Sequence, residues 1–367
     1  MSASSTMSSP VEVFTDRLAA MQAELGRRLP PFFAAKRGEA EGTLADLADA
    51  VAALVLGGGK RLRPALVAES ARAFGGGDAA AVLAVATATE LLQAYLLIHD
   101  DIMDHAELRR GVPTVHARFR DEHRRQELAG DAEEHGRSMA ILAGDLAHTW
   151  AWELYLDGRR QAAQTVDAAA LDRTFLAMCQ EVVGGQFLEM RLPLAAGPVA
   201  EEDLTRVLRL KSGRYSVERP MELGARLAGV DDADVLAALS RLGAATGEAF
   251  QLRDDVLGVF GDTAELGKSV ASDLVEGKYT FLVHYALEAA PSAERAWLAA
   301  ALGDPELDDD EVDELRDIIR RAGALDRVLE RIDRRLADAR RALDELPVGE
   351  ARPVFEGLIE YLGERRR

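Results

Sequence analysis

Three aspartates, Asp100, Asp101 and Asp104, interrupt an otherwise apolar run in the stretch LLQAYLLIHDDIMDHAELRRGVPT, residues 91–114. On a helix of 3.6 residues per turn, Asp100 and Asp104 fall on one face one turn apart, and Gln93 and Leu97 continue that face upward. Carboxylates so placed repel each other unless a cation lies between them, and hard oxygen donors at that spacing suit Mg²⁺ held together with phosphate oxygens. Arg109 and Arg110 follow at once, and a doubled arginine supplies the planar donors that phosphate oxygens accept. The chemistry indicated is the handling of a diphosphate. An exposed acidic turn beside an ion pair is the plainer reading of DDxxD alone. Against it stand Leu91, Leu92, Tyr95, Leu96, Leu97 and Ile98, which bury the helix on most sides, where charges need partners.

A second acidic stretch, FQLRDDVLGVFGD, occupies residues 250–262. Its Gln251, Asp254, Asp255 and Gly258 are spaced i, i+3, i+4 and i+7, so they also share one helix face, and the two stretches read as a facing pair. Basic residues accompany both. KRLRP, residues 60–64, follows Gly57, Gly58 and Gly59 at a predicted helix start, where Lys60 and Arg63 point at one anion with help from free N–H groups and the helix dipole. A solvated basic turn is the equal alternative for that segment. KSGRY closes residues 211–215, and in the turn-rich GKSVASDLVEGKYT, residues 267–280, Lys268 and Lys278 flank Asp273. Gly184 and Gly185 admit either a close backbone or simple helix packing.

The elements that must carry these residues are helices. Aromatics make up 5% of the chain, β-branched runs are scarce, and Ala, Leu, Arg, Glu and Asp dominate. Apolar residues, 48% of 367, suffice for a large core, and no Pro/Gly/Ser-rich linker divides the middle. Helical periodicity covers residues 11–29, 43–56 with Thr43 as N-cap, 78–104, 139–156, 171–190, 201–213, 215–227 and 235–260. Shorter amphipathic helices follow at 281–289, 293–302, 311–321 and 325–346, while 116–137 reads as an exposed helix or loop. The acidic run 308–311 and the terminal arginines 365–367 read as solvated ends. Residues 1–10 read as a disordered Ser-rich tail and 11–367 as one domain. The formal charge of −19 disfavours nucleic acid or an anionic membrane as partner. Cys179, the single cysteine, excludes an intramolecular disulfide and reads as a small core residue. With no run of 18 apolar residues and no signal-peptide pattern, the expectation is a soluble cytoplasmic protein without a membrane span.

GGGKRLRP at 57–64, HDDIMD at 99–104, RRGVPT at 109–114, GGQ at 184–186, KSGRY at 211–215 and FQLRDD at 250–255, with GK twice afterwards, stand in one order. In that order they resemble the motifs of the trans-isoprenyl diphosphate synthases, the polyprenyl synthetase family, over nearly all of the chain from residue 11. The resemblance implies an all-α fold, a bundle of long antiparallel helices around a deep central cavity, working as a homodimer. It implies that Asp100 and Asp104 hold two Mg²⁺ ions and Asp254 a third on the diphosphate of an allylic substrate (dimethylallyl, geranyl or farnesyl). Asp101 and Asp255 complete the acidic motifs. Arg109, Lys211, Ser212, Gln251, Lys268 and Lys278 would contact that diphosphate, and Lys60, Arg63, Gln93 and Arg110 the second substrate, isopentenyl diphosphate. Ser212 replaces the family's usual threonine and keeps its hydroxyl. Gly258 removes one carboxylate from the second motif; the sequence leaves open whether Asp262 compensates, and with Asp254 present activity is expected to survive.

The implied reaction is ionisation of the allylic diphosphate followed by attack of the isopentenyl double bond, which lengthens the chain by five carbons. In the family, an aromatic five residues before the first motif, here Tyr95, with none at Leu96, resembles the geranylgeranyl (C20) pattern, farnesyl (C15) being the runner-up. Tyr95 lies about 7.5 Å along the helix from Asp100 at 1.5 Å per residue, where its ring would floor the cavity, or else only pack on a neighbouring helix. A terpene cyclase shares DDxxD but needs no second diphosphate site, so Lys60, Arg63 and Arg110 argue against it. An HD-type phosphohydrolase built on His99 and Asp100 lacks a further histidine at ligand spacing. A non-catalytic subunit of a heteromeric synthase would lose the first aspartate motif, which is intact here.

Overall fold

The computed structural model describes residues 8–162, 164, 166–194, 199–261 and 272–363. Among them, helices account for nearly everything, and the one sheet is a two-stranded hairpin. The chain forms two compact units: Thr15–Ala168 with Leu227–Gly229, and Met1–Phe14 with Ala169–Arg226 and Val230–Arg367.

In the first unit run α1 (Pro10–Gly38, whose first turns belong to the other unit), α2 (Ala45–Leu56), α3 (Leu62–Ala73), α4 (Ala79–Met103), β1 (Leu108–Arg109), β2 (Val112–Pro113), α5 (Val115–Arg125) and α6 (Ala132–Gln161). α4 is the core helix. Asp78 caps its N-terminus by accepting from the Ala81 N–H at 2.9 Å, and Val85, Leu91, Leu92 and Ile98 are buried along it, mainly against α6. By length and composition α4 could cross a membrane, yet most of it is buried inside the fold, as a core helix is. Asp131 caps α6 by accepting from Glu133 and Glu134.

The second unit contains α7 (Ala168–Arg191), α8 (Glu201–Val207), a π-helical segment (Leu208–Glu218), α9 (Arg219–Leu227), α10 (Ala233–Phe260), α11 (Ser272–Val275), α12 (Phe281–Ala289), α13 (Ser292–Ala301), α14 (Asp309–Arg321), α15 (Ala324–Asp344) and α16 (Arg352–Gly363). α10 is central, packed by α15 and the π-helical segment. Gly247 of α10 allows that closeness, because a Cβ there would lie 2.5 Å from Gly213 Cα.

Several expectations are corrected. Leu44, not Thr43, is the N-cap of α2; the Thr43 N–H closes a short 3₁₀ turn by donating to Ala40 O at 3.0 Å. The stretch 116–137 is largely helical but not exposed throughout: α5 buries Val115, His116, Ala117, Phe119 and His123, while residues 124–131 are exposed. The helices expected at 201–213 and 215–227 are one continuous helical run, widened through KSGRY. The acidic residues Asp308 and Glu311 form a reciprocal capping box on α14, at 2.9 and 3.1 Å. Cys179 is half-buried, and burial pushes its thiol up to about 12. Of the expected tail, residues 1–7 lie outside the described residues, as do 365–367.

Candidate active site

In the first unit, the last turns of α4 divide the DDxxD carboxylates between two environments. Asp100 and Asp104 are half-buried on one face, and the Asp104 N–H donates to Asp100 O at 2.8 Å as the helix ends. Asp101 is turned inward, 1% exposed, and accepts from Arg109 Nε at 2.7 Å and from Nη2 of the same guanidinium. The β1–β2 hairpin makes that contact. Arg110 (φ 54°) and Gly111 (φ 77°) form its two-residue turn, both positive as a type I′ turn requires, pairing Leu108 with Pro113 and Arg109 with Val112. Burial disfavours the Arg109 charge, but the Asp101 hydrogen bond and the charges of Asp101, Asp100 and Asp104 outweigh it, so its affinity for the proton rises.

The same turn carries Arg110 to the glycine loop, where it donates to Gly58 O. Gly58 (φ 110°) and Gly59 (φ 139°) hold backbone that other residues rarely adopt, and a Cβ on Gly59 would lie 3.2 Å from the Arg110 guanidinium nitrogens. Gln22 Nε2 donates to Gly59 O at 3.2 Å, steadying the loop. Of the three cations in KRLRP, Arg61 is structural: its side chain is buried against Glu90 and the Val55 carbonyl. Lys60 is exposed, Arg63 is half-buried in the first turn of α3, and Gln93 is half-buried on α4. Burial, and then the charge of Arg61, depress the affinity of Arg110 for its proton, so the loop concentrates positive charge.

In the second unit, the C-terminal turns of α10 carry Gln251, Asp254, Asp255 and Gly258. Gln251 Nε2 donates to Asp255 Oδ1 at 2.8 Å, and Asp254 is half-buried. The Asp255 carboxyl is pushed up to about 8 by burial and by the charges of Asp273, Asp254 and Glu189, against the opposing Gln251 hydrogen bond. Carboxylates crowded to that degree demand positive charge, and their hard oxygens suit a divalent cation such as Mg²⁺. Asp273, on α11, brings Oδ1 to 3.5 Å from Lys278 Nζ, which also lies 2.5 Å from Glu276 Oε2. Lys211 sits in the π-helical segment with its ammonium on Glu189, and Gly185 of α7 permits this, since a Cβ there would lie 2.4 Å from Lys211 N. Close backbone packing is therefore what Gly185 serves; Gly184 has open space. Ser212 is buried. Lys268 and Asp262 lie outside the described residues.

Residues 45–319 match the family model described as polyprenyl synthetase. The chain belongs to the polyprenyl synthetase family. It is 33% identical to the geranylfarnesyl diphosphate synthase of Aeropyrum pernix, covering 85% of this chain and 92% of that one. It is 35% identical to the geranylgeranyl diphosphate synthase of Sulfolobus acidocaldarius, over 73% of this chain and 75% of that one. Among solved structures, geranylgeranyl pyrophosphate synthase from Corynebacterium glutamicum, complexed with isoprenyl diphosphate and magnesium, superposes with a TM-score of 0.83 at 33% identity, covering 98% of this chain and 99% of that chain.

In this prenyltransferase the Tyr95 ring is clamped. It stacks on His148 of α6 (centroids 4.7 Å, 29°) and meets His99 nearly edge-on (4.8 Å, 69°). Trp152 Nε1 donates to His148 Nε2 at 3.2 Å, which places the proton of the neutral imidazole on Nδ1; burial also lowers the proton affinity of this histidine. His99 fits over Gly144, where a Cβ would lie 2.3 Å from its Nε2. Leu96 is half-buried beside it. Three neighbours of the site escape sequence reading, Glu189 under Lys211, Glu90 under Arg61 and His148 under Tyr95, and Asp273, noted in the sequence only between Lys268 and Lys278, lies beside Gly258. Only Glu189, three residues after Gln186 in the synthase's GGQ motif, carries a local signal.

Proposed function

We propose that the protein condenses isopentenyl diphosphate with allylic diphosphates, with Mg²⁺, to an all-trans prenyl diphosphate whose main length is C20. The observation that carries this is the glycine loop at Gly58 and Gly59, to which the hairpin after the DDxxD helix brings Arg110 and after which Lys60 and Arg63 follow directly in the chain. A chain that only ionised one diphosphate would not need that loop. Asp100, Asp104 and Asp254 would hold three Mg²⁺ ions, which when bound neutralise the leaving diphosphate. Arg109, kept charged and aimed by Asp101, binds the allylic diphosphate with Lys211, Gln251, Lys278 and Lys268; Asp255, bonded to Gln251, orients that amide. Lys60, Arg63, Gln93 and Arg110 hold isopentenyl diphosphate, whose double bond attacks the allylic cation once the C–O bond has broken and the diphosphate has left. A proton then leaves to the departing diphosphate. Dimethylallyl, geranyl and farnesyl diphosphates are the primers.

A homodimer is part of this reading. Leu176, Val183, Phe187 and Met190 are all exposed on α7 at positions i, i+7, i+11 and i+14, an apolar stripe that a second copy would cover. The test of function is incubation with Mg²⁺, isopentenyl diphosphate and C5, C10 or C15 primer, with products separated by length. Cyclised hydrocarbon or no extension would overturn it.

Two variants follow from the site. Lys60→Ala and Arg63→Ala are expected to raise KM for isopentenyl diphosphate by about tenfold, roughly one charge-assisted phosphate contact, and KM for the primer far less. Equal effects on both would defeat the division into two diphosphate sites. For length, Tyr95→Ala removes a ring clamped by His148 and His99 and is expected to shift products to C25 and beyond, whereas Leu96→Phe shifts them toward C15. The A. pernix relative, named for a C25 product, makes the comparison with C25 the informative one. Parental product distributions from both variants would remove the physical basis for C20.

A further inference from the structure

Gly258 stands four residues after Asp254 on α10, where the second aspartate motif would carry its last carboxylate. The space one turn on is already filled. An ideal Cβ on Gly258 would lie 2.1 Å from Asp273 Oδ2 and 2.6 Å from its Cγ. No side chain fits at 258 while Asp273 stays where it is. Asp273 itself is 9% exposed, with one oxygen 3.5 Å from Lys278 Nζ and the other pressed into the notch over Gly258.

That position is held from several sides. Leu274 is fully buried, and its carbonyl accepts from the Gly277 N–H at 3.1 Å and the Gly303 N–H at 2.9 Å, while the Lys278 N–H donates to Asp273 O at 2.9 Å. We propose that Asp273 supplies, from α11, the carboxylate that the second motif lacks at Gly258, and that residue 258 is glycine because Asp273 takes its place. The carboxylate complement beside Asp254 and Asp255 is thereby kept, with its third member delivered from outside the helix. This rests on the reading of the site as a divalent-cation diphosphate site.

The exchange is directly testable, with Mn²⁺ as probe, inorganic diphosphate as co-ligand and bound Mn²⁺ measured by electron paramagnetic resonance. Asp273→Asn keeps the side-chain volume and removes the charge, so it is expected to weaken diphosphate-dependent Mn²⁺ binding tenfold or more. Gly258→Ala should do the same without any change of charge, because the new Cβ displaces the Asp273 carboxylate. Gly258→Asp alone, which restores the family motif, should weaken binding rather than improve it. Combined with Asp273→Ala, it should recover most of what Asp273→Ala loses. Mn²⁺ binding by Asp273→Asn within twofold of the parent would overturn the assignment, and so would a Gly258→Asp/Asp273→Ala variant no better than Asp273→Ala. A parent protein that binds Mn²⁺ with diphosphate but extends no allylic primer would instead overturn the functional reading and leave the carboxylate exchange standing.

Discussion

Asp100→Ala and Asp104→Ala are each expected to lower kcat by more than ~10³-fold, because each removes a ligand whose effect on the transition state is worth several kcal/mol. Stability should barely change, and this separates a ligand from a structural carboxylate. Both side chains are half-buried at the C-terminal end of α4, whose last turn contains no basic residue to complement the negative end of the helix dipole. A carboxylate there is unfavourable by about 0.3–1 kcal/mol. Its loss is offset by weaker attraction to Arg109, whose charge both aspartates favour. The unfolding free energy from urea titration should therefore stay within about 1 kcal/mol of the parent, while stabilisation by Mg²⁺ with diphosphate disappears. Turnover within tenfold of the parent would reject these two residues as metal ligands.

The residues of the site were more legible in the sequence than their neighbours, for a physical reason. Asp100 and Asp104 on one helix, and Gln251 and Asp254 on another, announce themselves through their spacing, and the core helix α4 through its largely apolar sequence. The contacts that aim them are made across elements and leave no periodic trace. Nothing in RRG discloses that Arg110 and Gly111 turn a hairpin, since a type I′ turn with arginine first depends on tertiary contacts, here those of Arg109 with Asp101 and Arg110 with Gly58. The helix α5 reads as polar because arginine and histidine dominate it, yet its one buried face, Val115, Phe119 and His123 among it, is enough to dock it. The π-helical segment through KSGRY likewise makes contacts that pair residues distant in sequence, Gly213 with Gly247 and Lys211 with Gly185. Gly258 reads as a lost carboxylate until Asp273 is seen in its place.

Asp101 marks the sharpest division between motif and structure. By spacing it belongs with Asp100 and Asp104, but at 1% exposure it faces inward, and its ion pair with Arg109 is largely buried, the two side chains 2% and 18% exposed. Removing one member of a buried pair strands the other, a loss of about 3–5 kcal/mol. Asp101→Ala is accordingly expected to lose stability of that order by urea titration, together with nearly all turnover, as the Arg109 guanidinium loses the group that aims it. Asp101→Asn retains an oxygen that accepts from Arg109 Nε, and should fall in between. The decisive variant replaces both partners. Buried ion pairs exchanged for apolar residues of similar volume are often neutral in stability, so Asp101→Leu combined with Arg109→Met should regain most of the stability lost by Asp101→Ala. Its activity should stay absent, because the diphosphate contact assigned to Arg109 is gone. If the double variant recovered turnover along with stability, Arg109 would be a structural partner alone; if Asp101→Ala lost less than about 1 kcal/mol, the pair would behave as a surface ion pair and the aiming role of Asp101 would fall.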